Sequence, residues 1–473
     1  MRKLVAVWVG KVLTLISRVF HFGGGSSLPG KIALQIDPQL LSAFFAGRPL
    51  LSVVVTGSNG KTTTCRIIAE VLKKEGYHVV WNRSGANLIT GITSALIEQS
   101  DFFGNVKADA GVFEVDEATM RLVMNAIKPT YVVVTNFFRD QLDRYGEVET
   151  TRNLIRSALE GISYQSFLIL NADDPLVASL AESVTCDVKM FGIESLPIEG
   201  HTDAPNHYQI QDARNCARCG TAFIYDIEFY GHLGSYRCPN CGNARPAMRY
   251  SAKDIILQGI HGSVFTVKEN EMDSVPPKNV KISLALPGLY NVYNALAAAS
   301  CCLSMGFDPD TIKIVISNMT SAFGRMERIS VGEKIILLAL VKNPVGFSEV
   351  VRTLVSEGEN KTLLLCLNDD YADGRDISWI WDADVELLAE NPIQFEKIVA
   401  SGLRAWDMAL RLKYAGIDEA KIVVEPILDK ALRLSLKNLQ NEDTLYILPT
   451  YTAMLQIREY IRHLGHAREF WQG

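Results

Sequence analysis

Apolar and polar positions along the chain fall into two repeating blocks. From Leu51, short β-branched runs alternate with longer amphipathic stretches. "LSVVVT" is followed by "TTTCRIIAEVLKKEG" and "YHVVW", then by "AGVFEV", "YVVVTN" and "FLILNADD" with helical spacers between them. Runs of this kind, bounded by turn residues, predict a parallel sheet covered by helices. The pattern breaks from about Glu194 to Val280, where polar sequence such as "GHTDAPNHYQ" surrounds two cysteine pairs. That segment reads as an insertion. "LPGLYNVYNALAAASCCLSMG" returns to helix, and a second alternation starts after "FGRMERIS", with "KIILLAL", "KTLLLCLN", "EKIVAS", "KIVVEP" and "TLYILPT" as strands. The expected organisation is an N-terminal helical segment over 1–45, a larger α/β domain over 46–328 with its insertion at about 194–280, and a second α/β domain over 329–473.

The first apolar stretch, "LVAVWVGKVLTLISRVF", is interrupted by Lys11 and Arg18. A spanning helix needs about 20 apolar residues with few charges. Two readings remain: a helix packed on the domain, or one lying at a membrane surface. The glycine-rich "FGGGSSLPGK" that follows has no assignment from local pattern alone.

Charge adds an exclusion. With 47 basic and 53 acidic residues the net charge is −6, so no nucleic-acid footprint is present. No secretory signal with a small-residue cleavage site appears. The nine cysteines are therefore expected in a reducing, cytoplasmic compartment, where C-x-x-C pairs favour metal over disulfide. Cys216, Cys219, Cys238 and Cys241 form two such pairs separated by eighteen residues. That spacing predicts a zinc ribbon, with four thiolates closing the tetrahedron and leaving no position for water.

Candidate chemistry centres on "VVVTGSNGKTTT", Val53 to Thr64. A strand, a glycine turn and a helix start together aim free N–H groups and the helix dipole at an anion. Gly57 and Gly60 allow close backbone approach, Lys61 supplies charge for β- and γ-phosphates, and Thr62 offers a hydroxyl to magnesium. Two residues separate Gly57 from Gly60, fewer than in the general P-loop pattern. In "VFEVDEA", Glu114 and Asp116 end a strand on the same side. Glu114 is the chosen magnesium ligand, against a solvated acidic turn. Asp140 and Asp143 in "RDQLD" are further candidates.

"TGSNGKTTT" resembles the ATP loop of the Mur ligase superfamily, whose members activate a carboxylate as an acyl phosphate and couple it to an amine. "NADDP", "PGLYNVYNALAA" and "FGRMER" resemble superfamily segments around the nucleotide. The resemblance implies an α/β fold with a Mur ligase-like P-loop central domain and a C-terminal Rossmann-like domain. It implies nucleotide contacts from Gly57, Asn59, Gly60, Lys61, Thr62, Thr63, Asn171, Asp173, Asn291, Asn294 and Arg325. On residue type alone, Asn171 and Asp173 compete with a helix cap before Pro175. Asn291 and Asn294 compete with helix-start polarity, and Arg325 with a structural ion pair.

"GGGSSLPGKIA", "FEVDEA", "NFFRDQLDRYGE", the four-cysteine insertion and "LNDDYADGRDISWIWD" are together similar to the ligase subunits of lipid II isoglutaminyl synthases. This branch implies ATP-dependent amidation of the D-glutamate α-carboxylate of lipid II, with Lys61 and Glu114 at the chemistry and ATP, magnesium and zinc as cofactors. It also implies a heterodimer with a GatD-like glutamine amidotransferase that supplies ammonia. An aspartate of the second domain, Asp376 first and Asp373 second, would complete the partner's Cys-His pair. Two departures from amino-acid-adding Mur ligases stand out. Too few residues precede Leu51 for a sheet domain that would hold a UDP-linked substrate. Gln141 stands where a histidine is expected, and no lysine lies between Lys128 and Lys189 to form a metal-bridging carbamate. An amino-acid-adding ligase and a non-catalytic ATP- and zinc-binding scaffold are the competing readings.

Overall fold

Strand β1 (Leu51–Thr56) runs between β3 (Ala110–Glu114) and β4 (Tyr131–Val134), parallel to both. The computed structural model describes residues 1–19, 27–46, 50–82, 86–140, 148–196, 212–270, 279–320, 324–356, 361–391, 395–439 and 444–463. The central sheet is completed by β2 (Val79–Trp81), β5 (Phe167–Asn171), β6 (Asp187–Ile193), β9 (Tyr250–Leu257), β10 (Ser263–Glu269) and β11 (Asn279–Leu284). Its order is β11-β10-β9-β6-β5-β4-β1-β3-β2. β-Branched residues alternate across it. Val53 and Val55 face one core with Ile67, Ile68 and Val71 of α4 (Lys61–Lys74). Val54 faces the opposite core with Ile92 and Leu96 of α5 (Ile89–Gln99). Both faces are covered, as a parallel sheet requires.

The expected insertion over 194–280 is narrower in the structure. Strands β9, β10 and β11 extend the main sheet, with β9–β10 and β10–β11 antiparallel. Among the described residues of this segment, the two-stranded ribbon of β7 (Ile224–Tyr230) and β8 (Leu233–Arg237), with its cysteine knuckles, forms a sheet of its own. The "GHTDAPNHYQ" stretch lies outside the described residues.

A second sheet is ordered β12-β13-β17-β14-β15-β16. Its strands are β12 (Arg325–Val331), β13 (Lys334–Ala339), β14 (Lys361–Cys366), β15 (Phe395–Ser401), β16 (Ile422–Val424) and β17 (Thr444–Pro449). All neighbours are parallel except β12–β13. The "GRMERIS" segment therefore belongs to this sheet, a few residues ahead of the expected boundary at 329.

Helices α1 (Arg2–Val19), α2 (Leu28–Ile36) and α3 (Leu40–Phe45) pack beside α5. Lys11 Nζ donates to the carbonyls of Ile97 and Ser100, at 3.0 and 2.5 Å, and closes the C-terminal end of α5. Lys3 Nζ donates to Ala43 O at 3.0 Å, near the end of α3. Gly30 explains part of the glycine-rich segment. Its N–H donates to Ser94 Oγ at 2.8 Å, and a Cβ there would lie 2.0 Å from Thr90 O. Only glycine lets α2 approach α5 this closely. Gly30→Val is expected to cost about 1–3 kcal/mol, read as a lower thermal midpoint, with nucleotide affinity of the folded protein unchanged.

Candidate functional site

β1 ends at Thr56, and the chain turns through Gly57 (φ 123°) and Gly60 (φ 88°) into α4. Both glycines are required twice over. Their φ values lie in the left-handed region, and a Cβ on Gly60 would sit 1.9 Å from Asn294 Oδ1, one on Gly57 2.4 Å from Thr135 Oγ1. Asn136, just beyond β4, holds the turn from beneath. Its carbonyl accepts from Ser58 N–H at 2.9 Å and its Oδ1 from Asn59 N–H at 2.9 Å.

Beside this turn, Thr62 Oγ1 donates to Glu114 Oε2 at 2.8 Å. Glu114 is buried, and Asn82 clamps its backbone at both N–H and C=O, at 2.9 and 2.7 Å. A hydroxyl and a carboxylate so placed are oxygen donors of the type magnesium takes. Asp116 instead caps a short 3₁₀ turn, accepting from Ala118 N–H. Glu117, one residue on, is the acid that meets Lys61, at 2.9 Å. Lys61 Nζ also donates to Gly57 O. Burial disfavours the Lys61 ammonium, but Glu117 and Glu114 outweigh it and raise its pKa. Burial raises the Glu117 carboxyl despite the pairing. Glu117 stands within the quoted "FEVDEA" run but, coming one residue past a same-face pair, gave no periodic signal.

A cleft opens above the turn, between the two sheets. Asn59, Gly60, Thr63, Asn291 and Asn294 line its central-domain side. The helix Leu289–Ser304 carries the two asparagines, three apart and linked by Asn294 Nδ2 donating to Asn291 Oδ1 at 3.1 Å. The second domain closes the other side. Lys342 Nζ donates to Ser58 O at 3.4 Å and to Asp140 Oδ2, while Asn343 Nδ2 donates to Asn59 Oδ1 at 3.0 Å. Asp140 is thus engaged by Lys342. Asp143 and Gln141 lie outside the described residues, as does the side chain of Arg325.

The structure gives Asp173 a different task from the expected nucleotide contact. Its oxygens accept from Ile193 N–H at 2.7 Å, Tyr293 O–H at 2.7 Å and Arg245 at 3.0 Å. It anchors the ribbon rather than facing the turn. Desolvation lifts its pKa to about 6 against the pull of Arg245. Asn171 is fully buried and braces β4, donating to Thr135 O at 3.0 Å. Asp174 caps the following helix through Leu176 and Val177 N–H.

In the ribbon, the Sγ atoms of Cys216, Cys219, Cys238 and Cys241 all lie within 4.8 Å of one another. A tetrahedral tetrathiolate site has sulfurs about 3.8 Å apart; Cys216–Cys241 is 3.6 Å and Cys219–Cys238 is 3.4 Å. Gly220 and Gly242, at φ 76° and 72°, shape the two knuckles. Hydrogen bonds from Thr221 bring the Cys219 thiol down to about 6. The donor set and its spacing fit a metal ion. The far end of the ribbon, Phe229 to Leu233, is buried in the central domain. Tyr230 lines the cleft between the two sheets, with its ring 5.6 Å from Phe138 and 5.5 Å from Tyr293. Phe138 in turn exchanges hydrogen bonds with Ser58 of the turn, each 2.9 Å. Sequence spacing alone could not connect these positions.

In the second domain, Asp373 is buried and held by Thr452, whose N–H donates to it at 2.7 Å. Asp376 is half-buried and accepts only from Ser378 N–H, at 2.8 Å, among the described contacts. The same domain exposes Tyr371 and Trp381, five residues to either side of it in sequence, with Trp381 packed edge-on against exposed Tyr414 at 5.7 Å. Arg411 fixes this face, donating to Ile380 O and Ala383 O at 2.9 and 2.8 Å beneath Trp381.

A phosphate-type turn at the head of a parallel sheet, facing a second α/β domain across a cleft, defines a Mur ligase fold. The Mur ligase middle domain family matches residues 55–231. A pseudomurein peptide ligase type C from Methanothermus fervidus superposes with TM-score 0.65 at 21% identity, over 90% of this chain and 81% of that one. The MurF ligase from Thermotoga maritima in complex with ADP gives 0.61 at 13% identity, over 92% and 84%. These likenesses establish the fold. The MurT ligase C-terminal family matches residues 340–454. The lipid II isoglutaminyl synthase (glutamine-hydrolyzing) subunit MurT of Streptococcus pneumoniae is 36% identical over 94% of this chain and 96% of its own length. The chain belongs to the MurT family.

Glu349 was missed by sequence reasoning and lines the same cleft. It is buried, its Oε1 has no hydrogen-bond partner among the described residues, and Arg352 Nε stands 3.6 Å away. Desolvation pushes its carboxyl to about 7, against the pull of Arg352. The folded state thus holds this proton more tightly than the unfolded chain, so stability falls as pH rises from the ordinary carboxyl range to about 7. Glu349→Gln is expected to remove that loss, up to about 3 kcal/mol at pH 8. Thermal midpoints of both proteins between pH 5 and 8 check this: the gap should widen with pH.

Proposed function

We propose that this chain is the ATP-dependent ligase subunit that amidates the α-carboxylate of D-glutamate in lipid II, taking ammonia from a GatD-like glutaminase. The observation that carries the reading is the Gly57–Gly60 turn with Lys61, Thr62 and Glu114 converging beside it, in a chain related over nearly its full length to a MurT subunit. The substrate carboxylate attacks the γ-phosphorus of ATP, ADP leaves, and an acyl phosphate forms. Ammonia then attacks the acyl carbon and phosphate departs. Such chemistry needs neutralised phosphate charge, in-line placement and exclusion of water.

Lys61 supplies fixed positive charge at the turn, and backbone N–H groups at the head of α4 receive phosphate oxygens. Thr62 and Glu114 would hold magnesium, which supplies further charge neutralisation when bound. Asn59, Gly60, Thr63, Asn291 and Asn294 border the nucleotide, and Lys342 and Asn343 close the second domain onto it. Arg325 would add a further nucleotide contact. Cys216, Cys219, Cys238 and Cys241 would hold a structural zinc. Its part is to order the ribbon that presents Tyr230.

Asp376 is proposed to orient the catalytic histidine of the glutaminase. Its half-buried position beside an exposed aromatic face suits a partner contact better than the enclosed Asp373. The lipid-linked substrate also calls for peripheral contact with a membrane from the cytoplasmic side. No helix among the described residues is long and apolar enough to cross one.

Three outcomes are expected. Lys61→Ala lowers glutamine- and ATP-dependent amidation of lipid II by at least about 100-fold; full activity would refute the role. Asp376→Asn abolishes glutamine-driven amidation while free ammonium still supports it, and equal losses with both donors would contradict the assignment. Metal analysis of protein purified without chelators gives about one zinc per chain, and Cys216→Ser lowers both the thermal midpoint and nucleotide affinity.

A further inference from the structure

Helix α1 is apolar on two opposite faces. One face packs inward through Ala6, Val7 and Gly10. The other carries Leu4, Val5, Trp8, Val12, Leu15 and Ile16, and all six are exposed; Trp8 is 57%, Val12 56% and Leu15 63% accessible. At 100° per residue these six fall within one arc of about 120°. The ridge does not end with the helix. Trp8 Nε1 donates to Phe102 O at 2.7 Å, tying α1 to a turn that exposes Phe102 (69%) and Phe103 (75%). That turn is fixed from within: Asp101 Oδ1 accepts from Phe103 N–H at 2.8 Å and Asn105 N–H at 2.9 Å. The result is a continuous, firmly seated apolar ridge on the protein surface.

Along α1 and α2 the charge is one-sided, and the adjoining turn adds one acid, Asp101, engaged by Phe103 and Asn105 N–H. Residues 1–36 contain Arg2, Lys3, Lys11, Arg18 and Lys31 and no aspartate or glutamate, in a chain whose net charge is −6. On the same wheel exposed Arg2 borders the ridge on one side and Lys11 on the other, Lys11 also capping the end of α5, while Lys3 turns inward to α3. A helix with an exposed apolar stripe, an indole among the exposed groups and cations alongside matches the requirements of the boundary between lipid headgroups and acyl chains. An exposed apolar surface of this extent is uncommon on a soluble monomer.

We propose that the α1 ridge and the Phe102–Phe103 turn form a docking face for an anionic phospholipid surface, which holds the ligase beside its lipid-linked substrate. This rests on the substrate reading above for its purpose, but not for its binding chemistry. The ridge inserts its apolar side chains to the depth of the acyl boundary, and the cations meet lipid phosphates. α5 carries the connection inward. It runs from Gln99, beside the exposed turn, to Ile89, three residues past Ala86, whose carbonyl accepts from the Asn82 side chain that clamps Glu114.

The test uses the full chain in complex with its glutaminase. Co-sedimentation is measured with vesicles of phosphatidylglycerol and phosphatidylcholine, and with phosphatidylcholine alone. The native complex is expected to bind the anionic vesicles at least tenfold more tightly than the neutral ones. A Trp8→Glu, Leu15→Glu double variant and, separately, a Phe102→Ser, Phe103→Ser variant should each lose at least tenfold of that binding, with thermal midpoint and nucleotide affinity retained. Amidation of vesicle-embedded lipid II should fall in both variants, while amidation of a water-soluble headgroup analogue stays at the native rate. Equal vesicle binding by native and variant complexes would overturn the proposal. So would a native complex that ignores anionic vesicles, or a ridge whose substitution splits a dimer or releases the glutaminase instead. If the native complex bound vesicles through the ridge but failed to amidate either substrate, the docking face would stand and the substrate reading would fall.

Discussion

The structure depends on one close approach. Between β1 and α4 the backbone passes so near Asn294 and Thr135 that neither Gly57 nor Gly60 has room for a side chain. Gly60 offers α4 no side-chain cap, so the first N–H groups of a helix whose dipole favours anions face the same turn. Lys61 and Thr62 follow at once, so cation and hydroxyl are placed by the helix itself. Glu114 and Glu117 arrive from the neighbouring strand end, at 2.8 Å from Thr62 and 2.9 Å from Lys61. Charge and geometry at the site are thus consequences of sheet order: β1 lies between β3 and β4, and each contributes to the same mouth.

Two remote modules converge on that turn. The second domain reaches it through Lys342 and Asn343, which touch Ser58 and Asn59 directly. The cysteine ribbon reaches it through Tyr230 and Phe138, the latter hydrogen-bonded to Ser58. Buried His232, its Nε2 3.3 Å from Asp174, packs against Phe138 from the ribbon side. A metal held far out on the ribbon would therefore act on the cleft that Tyr230 lines by ordering the ribbon's buried end. Domain closure and ribbon order bear on the same few backbone groups.

Much of this was legible in the sequence because it is local. The strand, glycine turn and helix of "VVVTGSNGKTTT" each obey short-range rules, and Glu114 ends a strand whose length fixes its position. The cysteine spacing describes a closed knuckle pair without reference to the rest of the fold. What escaped was non-local. Glu117, Asn136, Tyr230, Lys342 and Glu349 acquire meaning only when distant segments meet. Strands β9 to β11 look like part of an insertion because a cysteine ribbon interrupts the alternation before them, yet β9 joins β6 in parallel and β10 and β11 follow antiparallel in the same sheet. Asp173 is a nucleotide contact only by resemblance to the superfamily segment "NADDP". Burial turns it toward Tyr293 and Arg245 instead.

The proposed catalysis requires a nucleotide's phosphates to rest on the Gly57–Gly60 backbone. Calorimetric titration of native protein and Gly60→Ala with a non-hydrolysable ATP analogue tests it most directly, since the added methyl collides with Asn294 Oδ1 at 1.9 Å and opposes the positive φ of 88°. Affinity is predicted to fall at least about tenfold, a difference of about 1.4 kcal/mol, in protein that still unfolds cooperatively. Undiminished affinity in the folded variant would contradict the claim.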